Sequence, residues 1–389
     1  MVKSLSKVAG EPASGRDRTM GDEKVATFVP RPVAPGGDAL GVHRALDPPR
    51  VLPQPARRVD NDFSRLFEGE ILVSVDTLNI DAASFAQMEG AARDRVGASG
   101  SIADEIAHMV LRTVAARGKQ HNPVTGSGGM LVGSVLQIVP GRTAGSGSGA
   151  LEEGDRIATL ASLSLTPLRI DRVRAVRRSS AQIDVDGEAV LFASSPCAKM
   201  PDDLPERLAL AVLDVAGAAP QVARLVKPDD FVVVLGAGGK SGVLCAAEAR
   251  RCGGPGARII GVESSALAID DLGALGLCDA IVAADARDAV PMRRMVLDAT
   301  GGKEADLVVS CVNVPGAEMG AILVARDRGL VYFFAMSTRS SAAALGAAGV
   351  GKDVELRIGN GFAHGHAEHT LAMIRVMPAV RSLFERRYA

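Results

Sequence analysis

The sequence predicts an α/β protein in two parts, a β-barrel-like domain followed by a doubly wound parallel sheet. Three observations carry this. Between 51 and 198, strand-like alternations are broken by turns, with one helical stretch among them. After Pro205 the pattern changes to short apolar runs separated by helix-length segments, as expected of parallel β–α–β units. One of those runs, Phe231-Val232-Val233-Val234-Leu235, leads straight into Gly236-Ala237-Gly238-Gly239-Lys240-Ser241-Gly242.

In chain order, residues 1–37 are rich in Ser, Gly, Pro and charge and are expected to form a mobile or loosely docked arm. The prolines in Arg50-Val51-Leu52-Pro53-Gln54-Pro55-Ala56 forbid a helix interior, so that stretch should run extended. Ile71-Leu72-Val73-Ser74-Val75-Asp76-Thr77 alternates as a half-buried strand does. Asn79, Asp81 and Ser84 then crowd into a turn or helix start, where Asp81 is either a helix cap or a site acid. A helix is expected over 102–116. Lys119, Gln120, His121 and Asn122 gather just ahead of a glycine-rich strand over 124–138, which suits a binding loop. Strands follow over 156–160 and 183–192.

Residues 208–217 read as an apolar helix interrupted by Asp214, a charge that must be paired or face a cavity. Further strands are expected at 258–262, 280–282, 307–310, 330–334 and 354–358, and a closing amphipathic helix at 370–384. His364, His366 and His369 resemble a metal motif, but further ligands are missing nearby, so no metal is expected. The expected organisation is thus an arm at 1–37, a catalytic domain at 38–206, a dinucleotide domain at 207–345, and a return to the catalytic domain at 346–389.

Gly236, Gly239 and Gly242 fall three apart between a strand and a helix. Such glycines let the chain turn sharply, admit a ligand to the backbone, and let helix pack on strand. The helix start then favours a pyrophosphate. About 20 residues on, Glu263 ends the next strand, where an acid accepts from the adenosine ribose hydroxyls. A P-loop is rejected because Val234 stands where that loop needs glycine. Glu263 would repel a 2′-phosphate and Ser264-Ser265 supplies no arginine, so NAD is expected over NADP. The candidate cofactor residues are Gly236, Gly238, Gly239, Lys240, Ser241, Gly242, Glu263 and Ser264. Cys311 and Asn313, just past a later strand, join them.

The chain has 389 residues, 47% of them hydrophobic, and a formal net charge of −1. It is long enough for two or three domains with a large core. The charge balance argues against nucleic acid or an anionic membrane as partner. No apolar run is long enough to span a bilayer, and the first 24 residues lack the apolar core of a signal peptide. Five cysteines scattered singly fit reduced thiols and a cytoplasmic location.

The order barrel, dinucleotide domain, return to the barrel resembles the medium-chain dehydrogenase superfamily, with its GroES-like catalytic domain and Rossmann domain. No cysteine or histidine stands where its zinc ligands would fall, near 78–81, in 126–129 and near 213–214, so the resemblance is to a zinc-free branch. Longer runs narrow it. Leu52-Pro53-Gln54-Pro55-Ala56, Thr77-Leu78-Asn79-Ile80-Asp81, the stretch from Gly118 to Met130, Ala161-Ser162-Leu163-Ser164-Leu165-Thr166-Pro167-Leu168 and Leu210-Ala211-Val212-Leu213-Asp214-Val215-Ala216-Gly217 are similar to the diamino-acid dehydrogenases of lysine fermentation. That resemblance implies NAD-linked oxidative deamination of L-erythro-3,5-diaminohexanoate at C3, giving 5-amino-3-oxohexanoate, ammonia and NADH. It also implies a homodimer, with a late strand near 330–334 extending a sheet across subunits.

Hydride leaves C3 only when its nitrogen is neutral, so the chemistry requires a base, a path for water, and an anchor for the distal ammonium. Asp81 and Asp214 are expected to take over the orienting task of the missing zinc. Lys119 or His121 is the expected base, activator of water or carboxylate ligand. Asn79, Ser84, Asn122, Ser127 and Thr166 are the candidate substrate-positioning residues. The alternatives are a zinc-free reductase of quinones or enoyl thioesters, and a non-catalytic NAD-binding protein.

Overall fold

A computed structural model describes residues 28–97, 100–123, 126–141 and 151–389. Most of the expected arm, 1–27, lies outside the described residues, as do Val124 and Thr125. The arm's last residues are not loose. Val33–Ala34 pairs in parallel with Leu66–Phe67, and the Arg31 main-chain N–H donates to the Gln137 side chain. Prolines at 30, 32 and 35 hold this stretch extended, the conformation pairing needs.

Six antiparallel strands form the first sheet: β1 (Ile71–Asn79), β2 (Met130–Ile138), β3 (Arg156–Thr159), β4 (Leu168–Arg177), β5 (Gln182–Leu191) and β6 (Cys197–Lys199). Their order is β6-β3-β2-β1-β5-β4. Strand β4 has no counterpart among the sequence expectations. It is an edge strand, and arginines at 169, 172, 174 and 177 mask its apolar period. Arg169, Arg172 and Arg177 pair with Glu188, Asp186 and Asp184 on β5, so the exposed edge is charged against further pairing.

Two helices, rather than the one expected, connect β1 to β2. They are α1 (Ala82–Val96) and α2 (Ile102–Arg117). In α1 only Ser84, Phe85, Met88 and Ala92 are buried, a stripe too thin for its period to stand out. Ser101 caps α2 and Gly118, at φ 70°, ends it.

The second sheet is wholly parallel. Its strands are β7 (Phe231–Leu235), β8 (Arg258–Glu263), β9 (Ala280–Ala283), β10 (Ala305–Ser310), β11 (Ala325–Phe333) and β12 (Glu355–Ile358), in the order β9-β8-β7-β10-β11-β12. The chain runs outward from β7 to β9, then returns to β10 on the other side of β7. The order therefore reverses between β7 and β10, the switch point at which such sheets bind ligands. This is the doubly wound sheet the alternation predicts. One expectation is corrected: β11, which contains 330–333, is paired on both sides, so it cannot extend the sheet to another subunit. The edge is β12.

A shared apolar core joins the two sheets, and each has a further core of its own, around Leu78, Val110 and Ile183 in the first and around Val233, Ile260 and Val308 in the second. Val132 and Ala158 of the first meet Leu208 and Val212 of α3 (Glu206–Leu213), which pack with Val232 and Val234 of the second. Helices α4 (Ala218–Ala223), α5 (Lys240–Gly253), α6 (Ala266–Leu275), α7 (Ala289–Thr300), α8 (Glu318–Val324) and α9 (Ser340–Gly349) follow, and the expected closing helix is two helices, α10 (His366–Val376) and α11 (Pro378–Tyr388). Pro378 has no N–H to continue the first but is well suited to begin the second.

Candidate active site

Gly236 follows β7 at φ 70°, a left-handed conformation that glycine adopts without strain. A Cβ on Gly242 would lie 2.1 Å from the Gly236 carbonyl oxygen, so the first turn of α5 (Lys240–Gly253) seats directly on the glycine turn. No side chain caps α5, which leaves its leading N–H groups for an anion. Glu263 ends β8 beside this turn. Its Oε2 accepts from Gly238 N at 3.0 Å, and its Oε1 accepts from Ser264 N at 2.8 Å and Ser265 N at 3.0 Å. Cys311 and the exposed Asn313 follow β10. The Cys311 thiol lies 3.7 Å from that of Cys245. The carboxyl ends of β7, β8 and β10 thus bring the candidate cofactor residues together at the switch point. Uncapped amides and an acid beside them fit a dinucleotide.

Lys240 departs from the expected arrangement. Its ammonium lies 2.7 Å from Oδ2 of Asp214. Burial alone would lower its pKa, but the Asp214 carboxylate outweighs burial and holds it above the ordinary value. Asp214 is also not inside a helix; it is the C-cap of α3. Its Oδ1 accepts from Asn79 Nδ2 at 3.2 Å, and Asn79 Oδ1 accepts from Gln182 Nε2 at 3.4 Å. A polar chain therefore runs from β5 through Asn79 and Asp214 to the first residue of α5.

The C-terminal helix contributes residues that the sequence reading missed. Arg387 Nη1 donates to the Gly238 carbonyl at 2.8 Å, and the Lys240 ammonium sits 5.4 Å from the Tyr388 ring centroid. These contacts span 149 residues in the first case, and no local pattern signals them.

A second polar group lies where β1 meets α1. Asp81 caps α1 with Oδ1, which accepts from Ser84 N at 2.9 Å. Its other oxygen, Oδ2, is buried and unpaired, as are Gln120 Oε1 and His121 Nδ1. Asn122 Nδ2 reaches the Ser84 carbonyl at 3.4 Å, and Asn122 N donates to the Ser127 carbonyl at 2.7 Å. Ser127 Oγ accepts from Gly129 N at 3.4 Å. Thr166 Oγ1 is spent on the Ser162 carbonyl at 3.3 Å, within its own turn.

Lys119 is wholly buried, and its ammonium donates to the carbonyls of Pro53 at 2.5 Å and Gln54 at 2.9 Å. Burial, with Arg117 adding, brings its pKa down to about 8. The group thus fastens Pro53 and Gln54, which lie in a turn closed by the Ala56 N–H donating to the Leu52 carbonyl rather than in the extended run expected over 50–56; proline's fixed φ suits a turn as well as an extended strand. Burial first, then Lys119 and Arg117, lowers the His121 pKa, which keeps the imidazole neutral at neutral pH.

The three late histidines go separate ways. His364 is exposed, His366 is buried against Phe362, and His369 Nε2 lies 3.0 Å from Glu248 Oε1. Among the described residues no group of three or more His, Cys, Asp or Glu is placed to hold a metal ion. A cavity of about 510 Å³ lies at the other end of the parallel sheet, lined by Phe231, Arg258, Arg293, Asp306 and Arg326. It faces the strands' amino ends, away from every candidate residue. Arg293 and Arg326 are already paired there with Glu304 and Asp306. The switch point is the better-founded site.

Residues 43–201 match the family model of the L-erythro-3,5-diaminohexanoate dehydrogenase N-terminal domain. The chain is 46% identical over 352 residues to an L-erythro-3,5-diaminohexanoate dehydrogenase of Acetoanaerobium sticklandii, spanning 90% of this chain and 99% of that one. It belongs to that family. A protein of the same name from Fusobacterium nucleatum subsp. nucleatum is 45% identical over 355 residues, again covering 90% and 99%. Among solved structures, a mycobacterial quinone oxidoreductase aligns with a TM-score of 0.48 at 17% identity, covering 83% of this chain and 82% of its own. An alcohol dehydrogenase superfamily protein from Novosphingobium aromaticivorans aligns with a TM-score of 0.45 at 17% identity, covering 87% and 82%. Family membership makes this chain a dehydrogenase. The glycine turn at Gly236, with the uncapped helix start behind it, fits a nicotinamide dinucleotide as the hydride acceptor of a dehydrogenase.

Proposed function

We propose that this chain catalyses NAD-dependent oxidative deamination of L-erythro-3,5-diaminohexanoate to 5-amino-3-oxohexanoate and ammonia. The observation that carries the reading is the 46% identity with a relative of that name over 99% of its length. Glu263 supports NAD over NADP, since its carboxylate faces the glycine turn and would repel a 2′-phosphate. Bound NAD supplies the hydride acceptor.

The protein's own residues divide the remaining work. His121, neutral and with Nδ1 unpaired, takes a proton from the C3 ammonium, so that the nitrogen lone pair can assist departure of hydride from C3. Water then adds to the resulting C3 iminium, and ammonia leaves as C3 becomes a carbonyl. Asp214, fixed by Lys240 and Asn79, holds a carboxylate beside the start of α5 and favours positive charge there. Asp81, Asn122 and Ser127 line the approach from α1. The substrate is a small molecule, and neither nucleic acid nor membrane is a partner in this reading. A second copy would pair through β12, whose residues Glu355, Arg357 and Ile358 are exposed.

The test is product analysis. Purified protein with NAD and the diamino acid should form reduced nicotinamide and ammonia in equal amounts. Reduced nicotinamide without ammonia would exclude deamination. Turnover of quinones or enoyl thioesters, with none of the diamino acid, would favour a reductase.

A further inference from the structure

The distal nitrogen of the proposed substrate poses a separate problem from the reacting one. The C3 nitrogen must lose a proton, whereas the C5 nitrogen stays an ammonium throughout. A group of constant charge is best held by acceptors that do not titrate with it. Gln120 provides one. It is 3% exposed, and its Oε1 is buried without a hydrogen bond. An orphaned buried acceptor is costly, so a protein that retains one gains something from it when a donor arrives.

The surroundings tie Gln120 to Asp81. A Cβ on Gly128 would lie 2.3 Å from the main-chain carbonyl oxygen of Gln120, and one on Gly129 would lie 2.2 Å from the main-chain carbonyl oxygen of Asn79 and 2.7 Å from Ile80 Cα. The main chain at 128–129 is thus pressed between the segment bearing Gln120 and the segment leading to Asp81. Asn122 Nδ2 closes the same gap by donating to the Ser84 carbonyl. Asp81 Oδ2, on the segment that follows Ile80, is another unpaired buried acceptor among the described residues.

Resting on the deaminase reading above, we propose that Gln120 Oε1 and Asp81 Oδ2 together bind the C5 ammonium and make Gln120 a specificity-determining residue for 3,5-diamino acids. Asp81 supplies charge. Gln120 supplies a directional acceptor with no charge of its own, so the pair does not overload a half-buried wall with carboxylates.

The experiment compares L-erythro-3,5-diaminohexanoate with 3-aminohexanoate, which lacks the distal nitrogen, on wild type and Gln120→Met. Wild type should prefer the diamino acid. Gln120→Met should lower kcat/KM for the diamino acid about 10- to 100-fold, leave that for 3-aminohexanoate within about twofold, and leave the KM for NAD unchanged. Because the substitution removes an unpaired acceptor, the melting temperature of the ligand-free protein should hold or rise. Equal losses on both amines, no loss on either, or a lowered melting temperature would each overturn the assignment. Gln120→Asn, with its acceptor one methylene short, should give an intermediate loss confined to the diamino acid. It decides the matter by the same criteria if the methionine variant does not fold. Failure of wild type to oxidise either amine would instead sink the deaminase reading, and this inference with it.

Discussion

The ammonium of Lys240 lies 2.7 Å from Oδ2 of Asp214, so the first residue of the helix behind the glycine turn is held by a carboxylate at the end of α3. Asp214 also accepts from Asn79 of the antiparallel sheet. One carboxylate therefore ties the helix behind the glycine turn to the antiparallel sheet. Asp214→Asn leaves the Lys240 cation without its partner and should lower kcat/KM on the order of 100-fold. Lys240→Met should act similarly. The double variant should lose much less than the product of the two single losses, because each removes the same pair. Multiplicative losses in steady-state kinetics would show that the two residues act separately.

The second expectation concerns pH. Burial, followed by the charges of Lys119 and Arg117, lowers the His121 pKa from its ordinary 6.5. As a base, His121 works only when neutral. kcat/KM should hold through neutral pH and fall as the pH drops through that lowered value. His121→Asn should reduce kcat on the order of 10²- to 10⁴-fold and flatten the acid limb. A limb that survives the substitution would assign the base elsewhere.

A third concerns stability. Arg44 and Glu70 are both essentially buried, with guanidinium-to-carboxylate distances of 2.7 Å at each oxygen, and His43 lies 2.8 Å from the same carboxylate. Burial alone would raise the Glu70 pKa, but hydrogen bonds from Arg44 and His43 outweigh it and hold the carboxyl below its ordinary 4.5. The folded state thus binds this proton less readily than the unfolded one. The stabilisation is complete above the ordinary value and is lost as the pH falls through the lowered one. Glu70→Gln should cost about 1–3 kcal/mol near neutral pH, because the buried guanidinium loses its carboxylate partner while keeping Asp60 and the carbonyls of Asp62 and Arg65. It should also remove part of the acid-side decline in melting temperature. An unchanged acid limb would place the titrating group elsewhere.

The fourth concerns coenzyme choice. Glu263 accepts from the Gly238 N–H of the glycine turn and from the N–H groups of Ser264 and Ser265, and in the proposed function it is the acid beside the adenosine ribose. Wild type should favour NAD over NADP by kcat/KM. Glu263→Ser should weaken NAD and narrow the preference. Comparable efficiency of wild type with both coenzymes would contradict this role.

How much of this was legible beforehand depends on the range of the interaction. Phe231–Leu235 and the glycines behind it are local and were readable because strand, turn and helix start follow one another in sequence. Strand β4 was not, because arginines at its edge positions erase the apolar period. Helix α1 was hidden by its thin buried stripe, and Pro378 divided a helix whose amphipathic pattern runs on without a break. Within the site, residue types were legible and partners were not. Lysine at 119 could have been a base, but only the fold brings its ammonium to the carbonyls of Pro53 and Gln54, 66 and 65 residues away. Arg387 reaches Gly238 in the same way, through tertiary packing alone.

Every assignment at the cleft presupposes that the turn beginning at Gly236 holds the coenzyme. Titration of the purified wild-type chain with NAD, followed by thermal melting, tests this most directly. At a concentration 100 times its Kd, NAD should stabilise the fold by about 2.7 kcal/mol and raise the melting temperature by a few degrees. A melting temperature that does not move at any NAD concentration would contradict a coenzyme site at Gly236.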